Sequence, residues 1–176
     1  MEYTREIASP VGKLLLSSDG ESLTGLWIMG QKYFGATLDR DTEEKELPVF
    51  TETSQWLDSY FAGRRPDFCP PLAPKGSQFR QRVWRLLLEI PYGRLTTYGE
   101  IAVRLSESPD KPMSAQAVGG AVGHNPISII IPCHRVVGAG GSLTGYAAGV
   151  AVKERLLRLE GAPMAGLKAP KKGTAL

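Results

Sequence analysis

The chain has 176 residues, 42% of them hydrophobic, which suffices for one large domain or two small ones. No run of about 18 apolar residues occurs, and the start Met1-Glu2-Tyr3-Thr4-Arg5-Glu6 lacks the basic-then-apolar order of a signal peptide, so we expect no membrane association and a cytoplasmic setting. The net charge of +3 is unevenly spread: residues 1–75 carry 8 Lys and Arg against 12 Asp and Glu, and residues 76–176 carry 13 against 6, which points the second part toward a polyanionic partner.

Three short β-prone runs, Tyr3–Ala8, Lys13–Ser17 and Leu23–Met29, are separated by turn residues at Pro10-Val11-Gly12 and Asp19-Gly20. They predict a small antiparallel meander. The acidic stretch 39–46 reads as a solvated loop or helix edge. From Glu52 to Ala62, Trp56, Leu57, Tyr60 and Phe61 recur at helical spacing and predict a helix on the sheet. Four prolines between Gly63 and Gly76 exclude a regular element and place the domain boundary there. We therefore expect a scaffold domain over 1–75, a functional domain over 76–161 and a disordered tail over 162–176.

The second part reads as helices. Ser77 caps one with Val83, Leu86 and Leu87 on its apolar face, and Pro91-Tyr92-Gly93 stops it. Thr97, with Glu100 three residues on, forms a capping box for a short helix. Ser114 caps another, Ala115–Val122, built almost wholly of small residues. The pair has the outline of a helix-turn-helix unit. Gly119 and Gly120 allow either tight packing inside the domain or close approach of the backbone to another surface. The fold class is α/β (α+β): a small N-terminal antiparallel sheet with a helix, then a mostly helical domain.

The chemistry centres on Ile131-Pro132-Cys133-His134-Arg135-Val136-Val137. The β-branched run Ile127–Ile131 predicts a buried extended segment, and Pro132 turns the chain so that Cys133 emerges from a rigid element. Of the other cysteine and histidine, Cys69 and His124, neither has metal-like spacing, so we expect no metal, no cofactor and no disulfide. A glycine-rich loop over 138–149 lacks the Gly-Lys-Ser/Thr of a phosphate loop and suits a pocket wall. In the last helix, Val150–Glu160, Val152, Leu156 and Leu159 form the apolar stripe with Leu157 beside it. Glu160 shares that side and sits where the helix dipole disfavours negative charge. Such a carboxylate is expected to hold a partner, and His134 is the one available.

Residues 77–161 closely resemble the O6-alkylguanine-DNA alkyltransferases (methylated-DNA–protein-cysteine methyltransferases). The resemblance rests on the Pro-Cys-His-Arg core, Ala117-Val118-Gly119-Gly120-Ala121, Asn125-Pro126, Tyr98, Gly145-Tyr146, Lys153-Glu154 and Glu160-Gly161. It implies that Cys133 accepts an alkyl group from O6 of guanine in double-stranded DNA, in a stoichiometric, irreversible reaction after the nucleotide is flipped out. O4-alkylthymine is a second implied substrate. His134 would deprotonate Cys133 through a water, Glu160 would orient His134, and Tyr98 would donate to the departing guanine. Asn125 would be the hinge between recognition helix and active-site segment. Val136, Tyr146 and Ala147 would contact the flipped base, while Gln116, Ala117, Gly119, Gly120, Thr97 and Arg135 would meet DNA, the small-residue helix entering the minor groove. The protein would act as a monomer. Gln116 departs from the arginine that many family members insert into the duplex. Two other classes stay open on the residues alone: a lesion-binding module without transfer, and a cysteine hydrolase.

Overall fold

The computed structural model describes residues 1–170, and its packing divides the chain into two compact units. The first comprises residues 1–76 and 126–130. Its sheet contains β1 (Glu2–Ile7), β2 (Leu14–Ser18), β3 (Leu23–Ile28) and β4 (Thr42–Glu44) in the order β3-β2-β1-β4. The meander β1-β2-β3 is antiparallel, with Arg5 opposite Leu16 and Leu16 opposite Leu26. Every residue of β3 is buried, and Gly25 is required there: a Cβ would lie 2.1 Å from the Trp27 ring. Helix α1 (Pro48–Phe61) packs on β2 and β3 through residues that include Phe50, Trp56, Leu57 and Tyr60. It begins earlier than the expected Glu52 because Pro48 is pre-set for a first helical turn.

Two expectations are corrected in this unit. The acidic stretch 39–46 is not only loop, since Thr42–Glu44 forms an exposed strand parallel to β1. Its charges suit an edge, where they discourage further strand pairing. The run Ile127–Ile131 is not an extended strand. Ile127 makes one parallel bridge to Leu26, and Ser128–Ile130 then closes a three-residue turn, Ile130 N donating to Ser128 O at 2.8 Å with Ile129 at φ 71°. A β-branched residue rarely adopts that conformation. Burial compensates: Ile127 and Ile129 are fully enclosed.

The second unit comprises residues 77–125 and 131 onward. Helices α2 (Gln78–Leu88), α3 (Tyr98–Leu105) and α4 (Ala115–Gly123) pack together around Val83, Trp84, Leu87, Ile101, Leu105, Val118 and Val122. The Trp84 indole N–H donates to Ala121 O at 2.9 Å. Ser77, Thr97 and Ser114 each accept a backbone N–H at their helix starts, and Thr97 with Glu100 closes a capping box. Strands β5 (Thr96–Thr97) and β6 (Val136–Val137) pair in parallel. A 3-10 turn, Cys133–Arg135, precedes β6, and helix α5 (Val150–Leu159) follows the glycine-rich loop.

Helix α5 buries Lys153, Leu156 and Leu157, with Glu160 as its C-cap. Val152 and Leu159 are only half-buried, so the apolar stripe read from the sequence is rotated. The disordered tail expected over 162–176 is corrected for residues 162–170. Leu143 N donates to Lys168 O at 2.9 Å and Lys168 N to Gly141 O at 3.0 Å, while Ala162, Met164 and Leu167 pack with Val137, Leu143 and Leu157. Residues 171–176 lie outside the described residues.

Candidate functional site

Cys133 is held by a tight turn. Pro132 sits at φ −82° and ψ 62°, and Cys133 N donates to Ile131 O at 2.8 Å, the geometry of an inverse γ-turn. Asn125, at the end of α4, donates from Nδ2 to Ile131 O at 2.8 Å and to Cys133 Sγ at 3.2 Å. One amide thus fixes both the turn and the sulfur. The cysteine is buried, and burial pushes its thiol pKa up. The Asn125 hydrogen bond, the Lys153 ammonium and nearby backbone N–H groups oppose that rise without cancelling it. The resting sulfur is therefore a thiol, not a thiolate.

Next in the chain, the fully buried His134 places Nε2 2.6 Å from Glu160 Oε1. Burial alone would raise the Glu160 pKa, but the hydrogen bonds from His134 and Arg135 outweigh it and hold the carboxyl at about 2. Burial also lowers the His134 pKa, against the pull of Glu160. With the carboxylate ionised and the ring neutral, the network assigns the ring proton to Nε2 and leaves the basic lone pair on Nδ1.

Glu160 has further donors. Arg135 Nε reaches Oε2 and Arg135 Nη2 reaches Oε1, each at 2.9 Å, and Gly93 N donates to Oε2 at 3.0 Å. Gly93 has φ 74°, and a Cβ there would meet Glu160 O at 2.9 Å, so this approach needs glycine. The expectation that Arg135 meets DNA is corrected: the residue is 8% exposed and its remaining group, Nη1, donates to Ile90 O at 2.7 Å.

Tyr98, at the start of α3, donates its hydroxyl proton to Thr144 O at 2.8 Å. Burial, then the nearby Cys133, raises its pKa, so it is a donor that keeps its proton. Lys153 Nζ donates to the same Thr144 O at 2.9 Å and to Val136 O at 2.5 Å. Burial brings its pKa down to about 8. The Tyr146 ring lies edge-on to His134, centroids 6.4 Å apart, and its buried hydroxyl has no hydrogen-bond partner among the described residues. Ala147 is half-buried in the same loop, and the half-buried Thr97 spends its hydroxyl on the α3 cap.

A cleft of about 610 Å³ opens beside Tyr98, lined by Gly99, Ala115, Gln116, Gly119, Gly120, Ala139, Thr144 and Gly145. Ala115, Gln116 and Ala117 are exposed at the start of α4. A Cβ at Gly120 would meet nothing within 4 Å, and one at Gly119 only the Tyr98 ring at 3.8 Å. Internal packing therefore does not require these glycines.

Three contributors were given no role at the site by the sequence alone. Lys153 carried a usable signal, a charge on the same α5 face as Leu156, Leu157 and Glu160. Gly93 N and Thr144 O act through backbone atoms, which leave no mark in residue type.

Residues 3–74 match the ribonuclease-like domain of 6-O-methylguanine DNA methyltransferase, and residues 78–162 match the DNA binding domain of the same family. A methylated-DNA–protein-cysteine methyltransferase from Haemophilus influenzae is 46% identical over 92% of this chain and 87% of its own. One from Methanosarcina acetivorans is 47% identical over 90% of this chain and 98% of its own. Among solved structures, Mycobacterium tuberculosis OGT in complex with DNA superposes with a TM-score of 0.80 at 43% identity, covering 92% of this chain and 95% of that one.

Proposed function

We propose a function from one premise: the chain belongs to the 6-O-methylguanine DNA methyltransferase family. It repairs double-stranded DNA by moving the alkyl group of O6-alkylguanine, with O4-alkylthymine as a second substrate, onto its own Cys133. The observation that carries this reading is a buried cysteine held by Asn125 and followed at once by a neutral histidine locked to an ionised carboxylate.

The roles follow from the geometry. The thiol proton leaves for His134 Nδ1 through a bridging water, and Glu160 stabilises the imidazolium that forms. The freed thiolate attacks the alkyl carbon. A C–S bond forms, the C–O6 bond breaks, and the electron pair stays on the guanine. Tyr98 exchanges its Thr144 acceptor for the departing base and hydrogen-bonds the developing anion; the base finally regains one proton, balancing the one the thiol lost. Val136, Tyr146 and Ala147 surround the flipped base, with the buried Tyr146 hydroxyl as an available donor. The product is a neutral thioether, a bond that water does not cleave under ordinary conditions, so each chain reacts once.

For DNA, α4 offers a surface of small side chains. Gly119 and Gly120 have room for a methyl group internally, so their smallness is explained by what approaches from outside, the minor groove. Gln116 lies on that exposed surface and intrudes where the nucleotide leaves the stack. The protein works as a monomer in a reducing, cytoplasmic setting, since the acceptor must be a free thiol. Nucleoside analysis of a lesion-containing duplex tests the reading. O6-methylguanine should disappear in a one-to-one ratio with added protein and then stop. Continued loss beyond one equivalent, or none, would contradict it.

A further inference from the structure

We propose that Arg135 is a positioning residue for the transfer: by gripping both oxygens of Glu160 it offsets the carboxylate charge felt by His134 and keeps that imidazole neutral, able to accept the Cys133 proton. The proposal rests on the alkyl-transfer reading and adds a residue to it.

A buried imidazole 2.6 Å from a carboxylate has two stable forms. It can be an imidazolium ion-paired to the acid, or a neutral ring donating one N–H. In a poorly hydrated site an isolated pair favours the first, because a lone buried carboxylate is costly. An imidazolium has no lone pair and cannot act as the base. A third, permanently charged group changes the balance by satisfying the carboxylate itself. Arg135 is that group. Its fork meets Oε1 and Oε2 at 2.9 Å each, a bidentate arrangement a lysine cannot reproduce.

The surroundings agree. The groups around His134 are Glu160 and Lys153 from α5, Cys133 and Arg135 beside it in the chain, and Tyr146 from the glycine-rich loop. Glu160 alone favours the charged ring, whereas burial, Arg135 and Lys153 all oppose it. Arg135 is turned inward, away from any phosphate: it is buried, each of its three nitrogens donates to a protein oxygen, and the Tyr92 ring lies 5.7 Å from its guanidinium carbon. A charge so enclosed acts on its neighbours.

The test is an NMR titration of the His134 ring nitrogens, with His124→Gln to leave a single histidine signal, beside the pH profile of single-turnover transfer. Arg135→Met should raise the His134 midpoint by about one unit, a tenfold change in proton affinity, and move the acidic limb of the rate profile to higher pH with it. Arg135→Gln, which keeps hydrogen bonds but not charge, should do the same and stands in if the methionine variant does not fold. Adding Glu160→Gln to either should return the midpoint toward or below that of the unmutated protein, because no carboxylate remains to be offset. A midpoint and limb unmoved in both single variants, or a double variant displaced as far as the single, would overturn the proposal. The titration needs no DNA, so absence of transfer in the unmutated protein would remove the repair reading while leaving the Arg135 result legible.

Discussion

Among the described residues two carboxylates are buried, Glu2 in the N-terminal unit and Glu160 in the C-terminal unit, and they differ in what surrounds them. Glu2 accepts from Thr24 Oγ1 at 2.5 Å and from Asp39 N at 2.8 Å, with the half-exposed Lys75 at 3.1 Å. A hydroxyl and an amide have no second protonation state to offer near neutral pH, and the ammonium keeps its proton. Glu160 is as fully satisfied, yet one of its donors is an imidazole, adjacent in sequence to a thiol. Burial and hydrogen-bond saturation therefore do not mark a functional acid. A partner that can gain or lose a proton does.

The contrast can be broken most forcefully by paired substitutions. Glu160→Gln should slow alkyl transfer by about 10²–10⁴-fold, the usual contribution of a positioned acid–base group, while Glu2→Gln should leave the rate unchanged and cost about 1–3 kcal/mol of stability. Single-turnover kinetics and urea unfolding read the two. Equal losses of rate would dissolve the distinction.

Acid sharpens it further. The Glu160 pKa is depressed from 4.5 to about 2, so its contribution to stability is present above about pH 4.5 and is lost as pH falls toward 2. Unfolding midpoints measured across that window should fall more steeply in the unmutated protein than in Glu160→Gln. On the DNA side, Gly120→Ala should stabilise the fold by about 0.5–1 kcal/mol through helix propensity and weaken binding to lesion-bearing duplex. A loss of stability would instead assign the glycine to internal packing. The smallest effect is expected for Gln116→Arg, which adds charge and stacking surface at an exposed position and should tighten binding a few-fold, with a steeper dependence on salt.

Much of this was legible in the sequence, for physical reasons that can be named. The caps at Ser77, Thr97 and Ser114 are local chemistry, readable from three or four residues. Glu160 stood out because an acid on an apolar face at a helix C-terminus contradicts two local preferences at once. Arg135 was misread because a basic residue in a basic domain suits a phosphate, and only the fold reveals that its fork closes on Glu160. The turn at Ile129 was invisible for a different reason: four isoleucines in five residues predict a strand, and tertiary burial overrode that preference. The segment 162–170 has weak local signals, and its order comes from pairing with Gly141 and Leu143, some 25 residues earlier in the chain.

The central claim is that the buried thiol, and not the accessible one, receives the alkyl group. Cys69 is exposed and Cys133 is buried, so the two are easily told apart. The direct measurement is intact mass followed by peptide mapping after incubation with duplex DNA carrying one O6-methylguanine. A single added methyl on the Cys133 peptide, saturating at one per chain and absent from Cys133→Ala, is the predicted result. Unmodified protein that still binds the lesion, or a methyl on Cys69, would contradict the account.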